Sequence, residues 1–328
     1  MSSDTFEQID GSQDQTRVGS HNGPETPPSR AQTILRALGW STLALGCLFF
    51  FTLVNLPQAR IKNFIQGTLT NALSTSGIQM TSSESNLSMG LLGLGYELKN
   101  VTLKKPPSEA ALTIEGLSVT PKLTALILGQ LGAKLSLNQG DGFLKASYAG
   151  KGSEMSLSFD GKDLNLGKMG VLPYFAGIKG TAQLAAEGSV SGDSANPATL
   201  NGNVKFNLNK IVIDSQKLYG FDVPRLAISE GVIDLQIAQG KATITSFRLG
   251  KAGSMTDDIV ANATGDFQLA KQMELSTINV KAKFTLSQNI LKAFSLIDAL
   301  LGAGKLPDGS YSYTLTGQLL QPTPTPAK

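Results

Sequence analysis

The chain has 328 residues, of which 41% are hydrophobic and only 16% are charged, and its net charge is +3. A charged fraction well below the usual value of about 25% is typical of a strand-and-turn protein rather than of a solvated helical one. The weak positive charge includes no run of Lys or Arg that could follow a phosphate backbone, so we expect no binding to nucleic acid.

The first 33 residues are polar and rich in Ser, Gln, Asp, Gly and Pro. Nothing in this segment could bury a core, so we predict a disordered cytoplasmic tail, either simply solvated or used for docking. The only histidine of the chain, His21, lies here, and we interpret it as a solvated residue.

An uncharged run extends from Ala37 to Ala59. A bilayer core needs about 20 apolar residues as helix, so the sequence predicts a single transmembrane anchor over residues 34–57. A cleaved signal peptide is the alternative, but the segment before the run is long for one. The residues expected to anchor the chain are Trp40, Leu43, Leu45, Leu48, Phe49, Phe50, Phe51, Leu53 and Val54.

An amphipathic helix is predicted directly after the anchor, over residues 60–76. Apolar side chains, among them Ile61, Leu69 and Leu73, recur there at helical spacing, and Gly77 ends the pattern. Such a helix could lie on the membrane surface or cover the end of a sheet.

Strands dominate the predicted main body, residues 58–320. Most of the strands are bounded by Gly, Asn, Asp or Pro, and they follow one another with few helices between them. The predicted strands are Tyr96–Lys104, Ala111–Thr120, Ala133–Asn138, Gly142–Ala149, Met155–Asp160, Thr181–Gly188, Leu200–Leu208, Lys210–Asp214, Val232–Ala238, Lys241–Leu249, Ile259–Leu269, Ser276–Leu286 and Ser310–Leu319. Short helices are predicted after Pro121, over 164–175 and over 288–302.

Hairpin turns are indicated at residues 138–142 and at Gln239-Gly240. Consecutive hairpins produce an antiparallel meander. We therefore predict a mainly β fold: a transmembrane helix followed by a long antiparallel sheet, curled like a groove or a taco, with a few short amphipathic helices. The proline-alternating segment 321–328 is predicted to be an extended tail.

The stretch NLSMGLLGLGYELKNVTLKK, residues 86–105, contains a change of phase in its apolar pattern. Apolar residues occupy even positions up to Leu98 and odd positions from Val101, which predicts a bulge near Asn100. A packed core and an acyl-chain groove demand the same side chains, so this pattern leaves both open. The candidate groove or core lining is Leu92, Leu94, Tyr96, Leu98, Val101, Leu103, Leu135, Leu137, Leu184, Val204, Phe206, Leu208, Tyr311, Tyr313 and Leu315.

Side chains for catalysis are scarce. The only cysteine, Cys47, lies in the apolar run, and His21 lies in the tail, so neither can activate a nucleophile. No phosphate-binding loop occurs, and the acidic pair Asp257-Asp258 is interpreted as a solvated turn. We therefore expect no enzyme activity, no metal and no cofactor.

The order of elements resembles a known protein family. The carrying segments are NLSMGLLGLGYELKNVTLKK, then GLSVTPKLTALILGQLGAKLSLNQGDGFLKASYAG, and near the end LPDGSYSYTLTGQLLQP. Over roughly residues 37–322 the chain resembles the type II secretion system protein N family and, more distantly, AsmA-like inner-membrane proteins. The resemblance implies an inner-membrane protein with a cytoplasmic N-terminal tail and a periplasmic β-rich body.

Two functions follow from this resemblance. Protein N implies an accessory or scaffold role in protein export, with other secretion-system proteins as partners. AsmA-like proteins imply a β-groove that handles phospholipid. The first is the leading expectation and the second is its alternative.

Overall fold

The computed structural model describes residues 58–75, 77–90, 93–122, 124–125, 128–218, 221–272 and 275–327. Its helices are α1 (Gln58–Thr75), α2 (Leu166–Met169), α3 (Val171–Ala176), α4 (Gln288–Ala293) and α5 (Ser295–Leu301). Its strands are β1 (Gln79–Thr81), β2 (Glu84–Gly90), β3 (Gly93–Lys104), β4 (Ala111–Pro121), β5 (Leu131–Gln139), β6 (Gly142–Lys151), β7 (Glu154–Asn165), β8 (Gly180–Asp193), β9 (Asn196–Ile213), β10 (Gln216–Leu218), β11 (Phe221–Val223), β12 (Leu226–Ala238), β13 (Lys241–Leu249), β14 (Ile259–Gln268), β15 (Thr277–Leu286), β16 (Tyr311–Gln318) and β17 (Gln321–Pro326).

One large antiparallel sheet contains all of these strands except β10 and β11, which form a separate hairpin. From β3 to β9 and from β12 to β17 each strand pairs with the next along the chain, and β9 pairs with β12. The prediction of a mainly β, antiparallel meander is confirmed. Within the described residues β1 and β17 do not pair with each other, so the sheet does not close.

The two ends of the sheet carry different connections. One end, which we call the turn end, has the two-residue turns 152–153, 194–195, 239–240 and 319–320, with the longer loops 122–130 and 269–276. The opposite end, the helix end, carries α2 with α3, the β10–β11 hairpin, the loop 250–258 and α4 with α5. The helical segments predicted at 164–175 and 288–302 are therefore confirmed, and both lie at one end.

The two predicted hairpin turns are present. Gln239 and Gly240 have φ angles of 50° and 72°, and Gly140 has a φ of 58°. Two successive positive φ values define the turn type whose twist matches that of paired strands. Gly240 also has no room for a side chain, because an added Cβ would collide with the carbonyl oxygen of Pro197.

The change of phase near Asn100 occurs without a change of register. Lys99 pairs with Gly116 and Val101 with Ile114, so β3 remains one continuous strand and the predicted extra residue of a bulge is wrong. Instead Asn100 takes a φ of 49°, and its partner strand changes phase at the same place. The amide of Asn100 donates to the Ser83 hydroxyl at 3.0 Å, which fixes the turn of the backbone.

A residue with positive φ at a change of phase also occurs in β9. Lys210 has a φ of 52°, and apolar side chains change from even to odd positions around it. Two strands were predicted here, 200–208 and 210–214, whereas the structure has one strand, Asn196–Ile213. A local change of face looks like a strand boundary in sequence, but the ladder to β12 runs through it with one register.

The two edges of the sheet have different surroundings. Helix α1 lies along β1 and β2 at one edge. At the other edge, the predicted extended tail forms β17, in which Pro322, Pro324 and Pro326 alternate with residues that pair with β16. Proline has no N–H, so the outward edge of β17 lacks donors at alternate positions. Pairing of another strand with this edge is therefore disfavoured.

The predicted membrane anchor, including Trp40 and Leu43 to Val54, lies outside the described residues. Among the helices that are described, none combines the length and the apolar character needed to cross a bilayer. The amphipathic helix predicted over 60–76 is present as α1, Gln58–Thr75.

Candidate functional site: the apolar face of the sheet

An unbroken row of apolar residues crosses one face of the sheet. The row is traced by passing from each residue to its cross-strand partner, from β3 to β17. Each of the thirteen strands on this path contributes one residue. The first apolar row is Tyr96, Val119, Leu135, Ala146, Phe159, Gly188, Val204, Leu235, Ile244, Gly265, Val280, Leu315 and Pro324. Because side chains in register on neighbouring strands point to the same face, the row is one continuous apolar strip.

A second row lies two residues away, nearer the turn end. It is apolar in all twelve strands from β4 to β17. The second apolar row is Pro121, Ala133, Tyr148, Leu157, Val190, Gly202, Ile237, Ala242, Phe267, Ile278, Gly317 and Pro322. Two residues along a strand span about 6.6 Å, so the two rows form one broad apolar band.

The opposite face is polar at the intervening positions. The row between the two apolar rows has a hydrogen-bonding or charged side chain on every one of the same twelve strands. It is Thr120, Lys134, Ser147, Ser158, Ser189, Asn203, Gln236, Thr243, Asp266, Asn279, Thr316 and Thr323. The sheet therefore has one face suited to water and one suited to hydrocarbon.

Besides the contacts of α5 with Tyr311 and Tyr313 at the helix end of β16, the described second layer of the apolar face covers its N-terminal strands. There the buried cluster around Tyr96, Leu98 and Val101 packs against Leu69 of α1 and Met169 of α2. These contacts make a conventional core of strands beneath helices.

The C-terminal half of the face has a single-layer cluster. Ile244, Ala263, Ile278 and Val280 are buried, and all of the apolar side chains described as packing against them belong to β12–β16 or the turn that follows. Among the described residues these side chains are covered by one another and not by a second layer. This part of the face is the candidate functional site.

Three small residues, Ala146, Gly188 and Gly265, interrupt the larger side chains of the first row and make its surface uneven. The ring of Phe159 lies over Gly188, where an added Cβ would come within 2.8 Å of the ring. Gly265 likewise stands between Ile244 and Val280. Sequence reasoning missed these glycines because an isolated glycine in a strand carries no sign of the face to which it belongs.

The predicted lining residues fall into three groups. Tyr96, Leu98, Val101 and Leu137 belong to the helix-covered core, with Leu103, Leu135 and Leu184 packed against it. Val204, Phe206 and Leu208 are half-buried on β9, and Leu315 packs against the single-layer cluster. The side chains of Leu92 and Leu94 lie outside the described residues.

Tyr311 and Tyr313 lie at the helix end and hold α5 to the sheet. Tyr311 is only 1% exposed, and its hydroxyl donates to Asp298 at 2.5 Å. That hydrogen bond, with burial and the Asp298 charge, raises the pKa of Tyr311 to about 12. The Tyr313 hydroxyl donates to the Leu301 carbonyl oxygen at 3.1 Å. Both tyrosines are therefore structural clamps and do not line the open part of the face.

The acidic pair Asp257-Asp258 is not the solvated turn that the sequence indicated. Asp257 is 5% exposed, and its carboxylate accepts from the Ser229 N–H at 2.6 Å and the Lys251 N–H at 2.7 Å. Asp258 accepts from the Ala227 N–H at 2.8 Å and the Ser287 hydroxyl at 2.7 Å. The pair joins a loop to β12 and α4. No group of three metal-binding side chains comes together within the described ranges.

One buried hydroxyl lies at the start of the first row. Tyr96 is 6% exposed, and its hydroxyl has no hydrogen-bond partner among the described residues. An unpaired buried hydroxyl is costly, which makes Tyr96 an unusual member of an apolar core.

One surface depression of about 540 Å³ lies across β4–β7, and Leu135, Ala146 and Phe159 are among its lining residues. Its rim is formed by Ser and Thr hydroxyls and by Lys134, Lys145 and Asp160 of the polar face. It is shallow and open to solvent, so it lacks the enclosure of a small-molecule site.

Comparison with known proteins gives no neighbour: no family model, no curated protein and no solved structure matches this chain.

Proposed function

We propose that this protein is a non-catalytic, membrane-anchored protein that holds lipid acyl chains against the apolar face of its sheet. The observation that carries the proposal is the apolar band, which is continuous across β4–β17. Among the described residues, the apolar side chains that pack against its C-terminal cluster come from β12–β16 and the turn after β16. A one-sided sheet must cover its apolar face with something. In this proposal the cover is hydrocarbon, and the sheet curls into a groove around it.

The chemistry of the band fits an acyl chain better than a polar ligand. Its members are aliphatic, aromatic, glycine and proline residues, and Tyr148 is the one in the second row that carries a hydroxyl. Each methylene moved from water to such a surface gains about 0.8 kcal/mol. That gain has no directional requirement, so the face would accept chains of different length and leave the headgroup in water.

The test compares adjacent residues on opposite faces of β9. Full-length protein is purified from membranes in mild detergent, and bound phospholipid is counted by native mass spectrometry. Val204→Asp places a carboxylate in the first apolar row, whereas Asn203→Asp places the same group on the polar face. We expect lipid to be lost from the first variant and kept by the second, with equal circular dichroism spectra. A wild-type protein without lipid, or equal retention in both variants, contradicts the proposal.

A second candidate is a component of a type II secretion assembly, with the body in the periplasm and the anchor in a bacterial inner membrane. The observation that favours it is a set of exposed apolar side chains at the helix end: Phe175 is 74% exposed, Met255 fully exposed and Leu300 67% exposed. Apolar groups on several connections at one end are typical of a protein-binding surface.

Photo-crosslinking tests this candidate in cells. A photoreactive amino acid replaces Phe175 or Leu300, and the matched control replaces Ser153 in a turn at the other end. We expect adducts with secretion-machinery subunits from the first two positions alone. Adducts that are absent, or equal at all three positions, count against a secretion role.

A further inference from the structure

Exposed leucines are concentrated on the connections of the turn end. Leu128 is 70% exposed, Leu131 73%, Leu275 54% and Leu320 64%. Single exposed leucines are common on soluble proteins. Here they share one end of the sheet and fall into two groups. Leu128 and Leu131 lie before and at the start of β5, and Leu275 and Leu320 lie on the connections after β14 and β16.

The same end is poor in charge. By sequence, its connections at 122–130, 152–153, 194–195, 239–240, 269–276 and 319–320 contain only three charged residues, Lys122, Lys271 and Glu274. The two residues between β2 and β3, Leu91 and Leu92, are also leucines. Each of the longer connections at the helix end contains at least two charged residues, as does the turn-end loop 269–276, whereas the loop 122–130 contains one. The short turns of the turn end contain none, although Lys151, Glu154, Asp193 and Lys241 end the strands beside them.

Helix α1 enters the fold from the turn-end side. Lys62 and Gln66 lie beside residues 82–86, near the start of β2, whereas the Leu73 carbonyl accepts from the Ile78 N–H next to β1. Since β2 runs toward the turn end, α1 starts on that side and ends toward the helix end. By sequence, the anchor predicted over residues 34–57 ends at the residue before α1.

We propose that the turn end is a membrane-contact edge, in which the exposed leucines dip into the leaflet surface. Leucine side chains suit the boundary between headgroups and acyl chains, about 5–10 Å deep. Lys122 and Lys271 of the same connections match anionic headgroups. These leucines lie outside both apolar rows, so the proposal stands whether or not the sheet face holds lipid.

Depth-dependent fluorescence quenching tests the proposal on the full-length chain. In a Cys47→Ser background, Leu128→Cys or Leu320→Cys is labelled with a nitrobenzoxadiazole dye, and the protein is reconstituted in phosphatidylethanolamine–phosphatidylglycerol vesicles. Met255→Cys and Phe175→Cys are matched controls, because these apolar residues are equally exposed at the opposite end. All four sites lie on connections or helix ends, so labelling leaves the sheet intact.

We expect blue-shifted emission and strong quenching by lipids brominated near the headgroup at positions 128 and 320, and neither effect at 255 and 175. Equal quenching at all four positions overturns the proposal, because the dye itself would then be partitioning. Absence of quenching at 128 and 320 overturns it too. Shielding at these positions that disappears when the protein is diluted in the vesicles indicates a second copy as the partner and also overturns it.

Discussion

Replacing Asp257 by alanine should destabilise the C-terminal half of the sheet, because its buried carboxylate links the loop 250–258 to β12. The carboxylate accepts three hydrogen bonds: two from the N–H and hydroxyl of Ser229 and one from the Lys251 N–H. Alanine leaves two backbone N–H groups buried without this acceptor. At about 1–3 kcal/mol for each unsatisfied group, we expect a loss of about 3 kcal/mol in the free energy of unfolding.

Urea denaturation followed by far-ultraviolet circular dichroism measures this loss. The control is Asp222→Ala, which removes only an exposed ion pair to Lys217 at 3.8 Å and should leave stability nearly unchanged. Asp257→Asn keeps one acceptor oxygen and should fall between the two. If Asp257→Ala unfolds at the same urea concentration as Asp222→Ala, the carboxylate does not hold the loop and the reasoning fails.

The same variant has a defined pH dependence. Burial opposes ionisation of Asp257, but hydrogen bonds from Lys251 and Ser229 outweigh it and lower the pKa below its ordinary value. A lowered folded-state pKa contributes stability above the unfolded pKa of about 3.9, and this contribution is lost as the pH falls through the folded value. The difference between wild type and Asp257→Ala should therefore be full at pH 7 and shrink below about pH 4.

Three further changes test other links. Gln139→Ala removes a buried amide whose oxygen accepts from the Glu115 N–H at 3.0 Å. We expect the free energy of unfolding, measured by urea denaturation, to fall by about 1–3 kcal/mol. Gln130→Ala, in an irregular loop, is the neutral control. Tyr311→Phe should lose less thermal stability than wild type between about pH 10 and 12. The raised Tyr311 pKa stabilises the wild-type fold, and this contribution is lost as the pH rises through about 12. Equal losses in wild type and variant contradict this. Pro324→Thr should restore an outward N–H on β17 and increase self-association in size-exclusion chromatography, whereas Thr325→Val should not.

Much of the sheet could be predicted because apolar and polar residues alternate along a strand and so indicate which side chains lie on the apolar face. Segments such as Lys241–Leu249 and Ile259–Leu269 alternate clearly, and Gln239-Gly240 marks the hairpin before the first. The structure has strands at Lys241–Leu249 and Ile259–Gln268 with that turn between β12 and β13. Local patterning is sufficient there because each hairpin pairs neighbouring segments.

The rest depended on non-local pairing. The two apolar rows can be recognised only when the registers of successive strands are known. Gly188, for example, belongs to the first row because it pairs with Phe159. The sequence placed Pro324 in a predicted extended tail, because nothing in PTPTPAK indicates that this segment pairs with β16. The sequence indicated a solvated turn at Asp257, because the groups that donate to its carboxylate lie elsewhere in the chain. They belong to Ser229, on another strand, and to Lys251, at the other end of the same loop.

A large open sheet has two ways to associate wrongly: through its edges and through its apolar face. In this chain the prolines of β17 disfavour pairing at one edge, and α1 lies beside β1 and β2 at the other. The polar face carries charged and hydroxyl side chains and needs no cover. The apolar band beyond the helix-covered core is the remaining surface. In the function we propose, hydrocarbon covers this band, and such a partner needs no hydrogen bond from it.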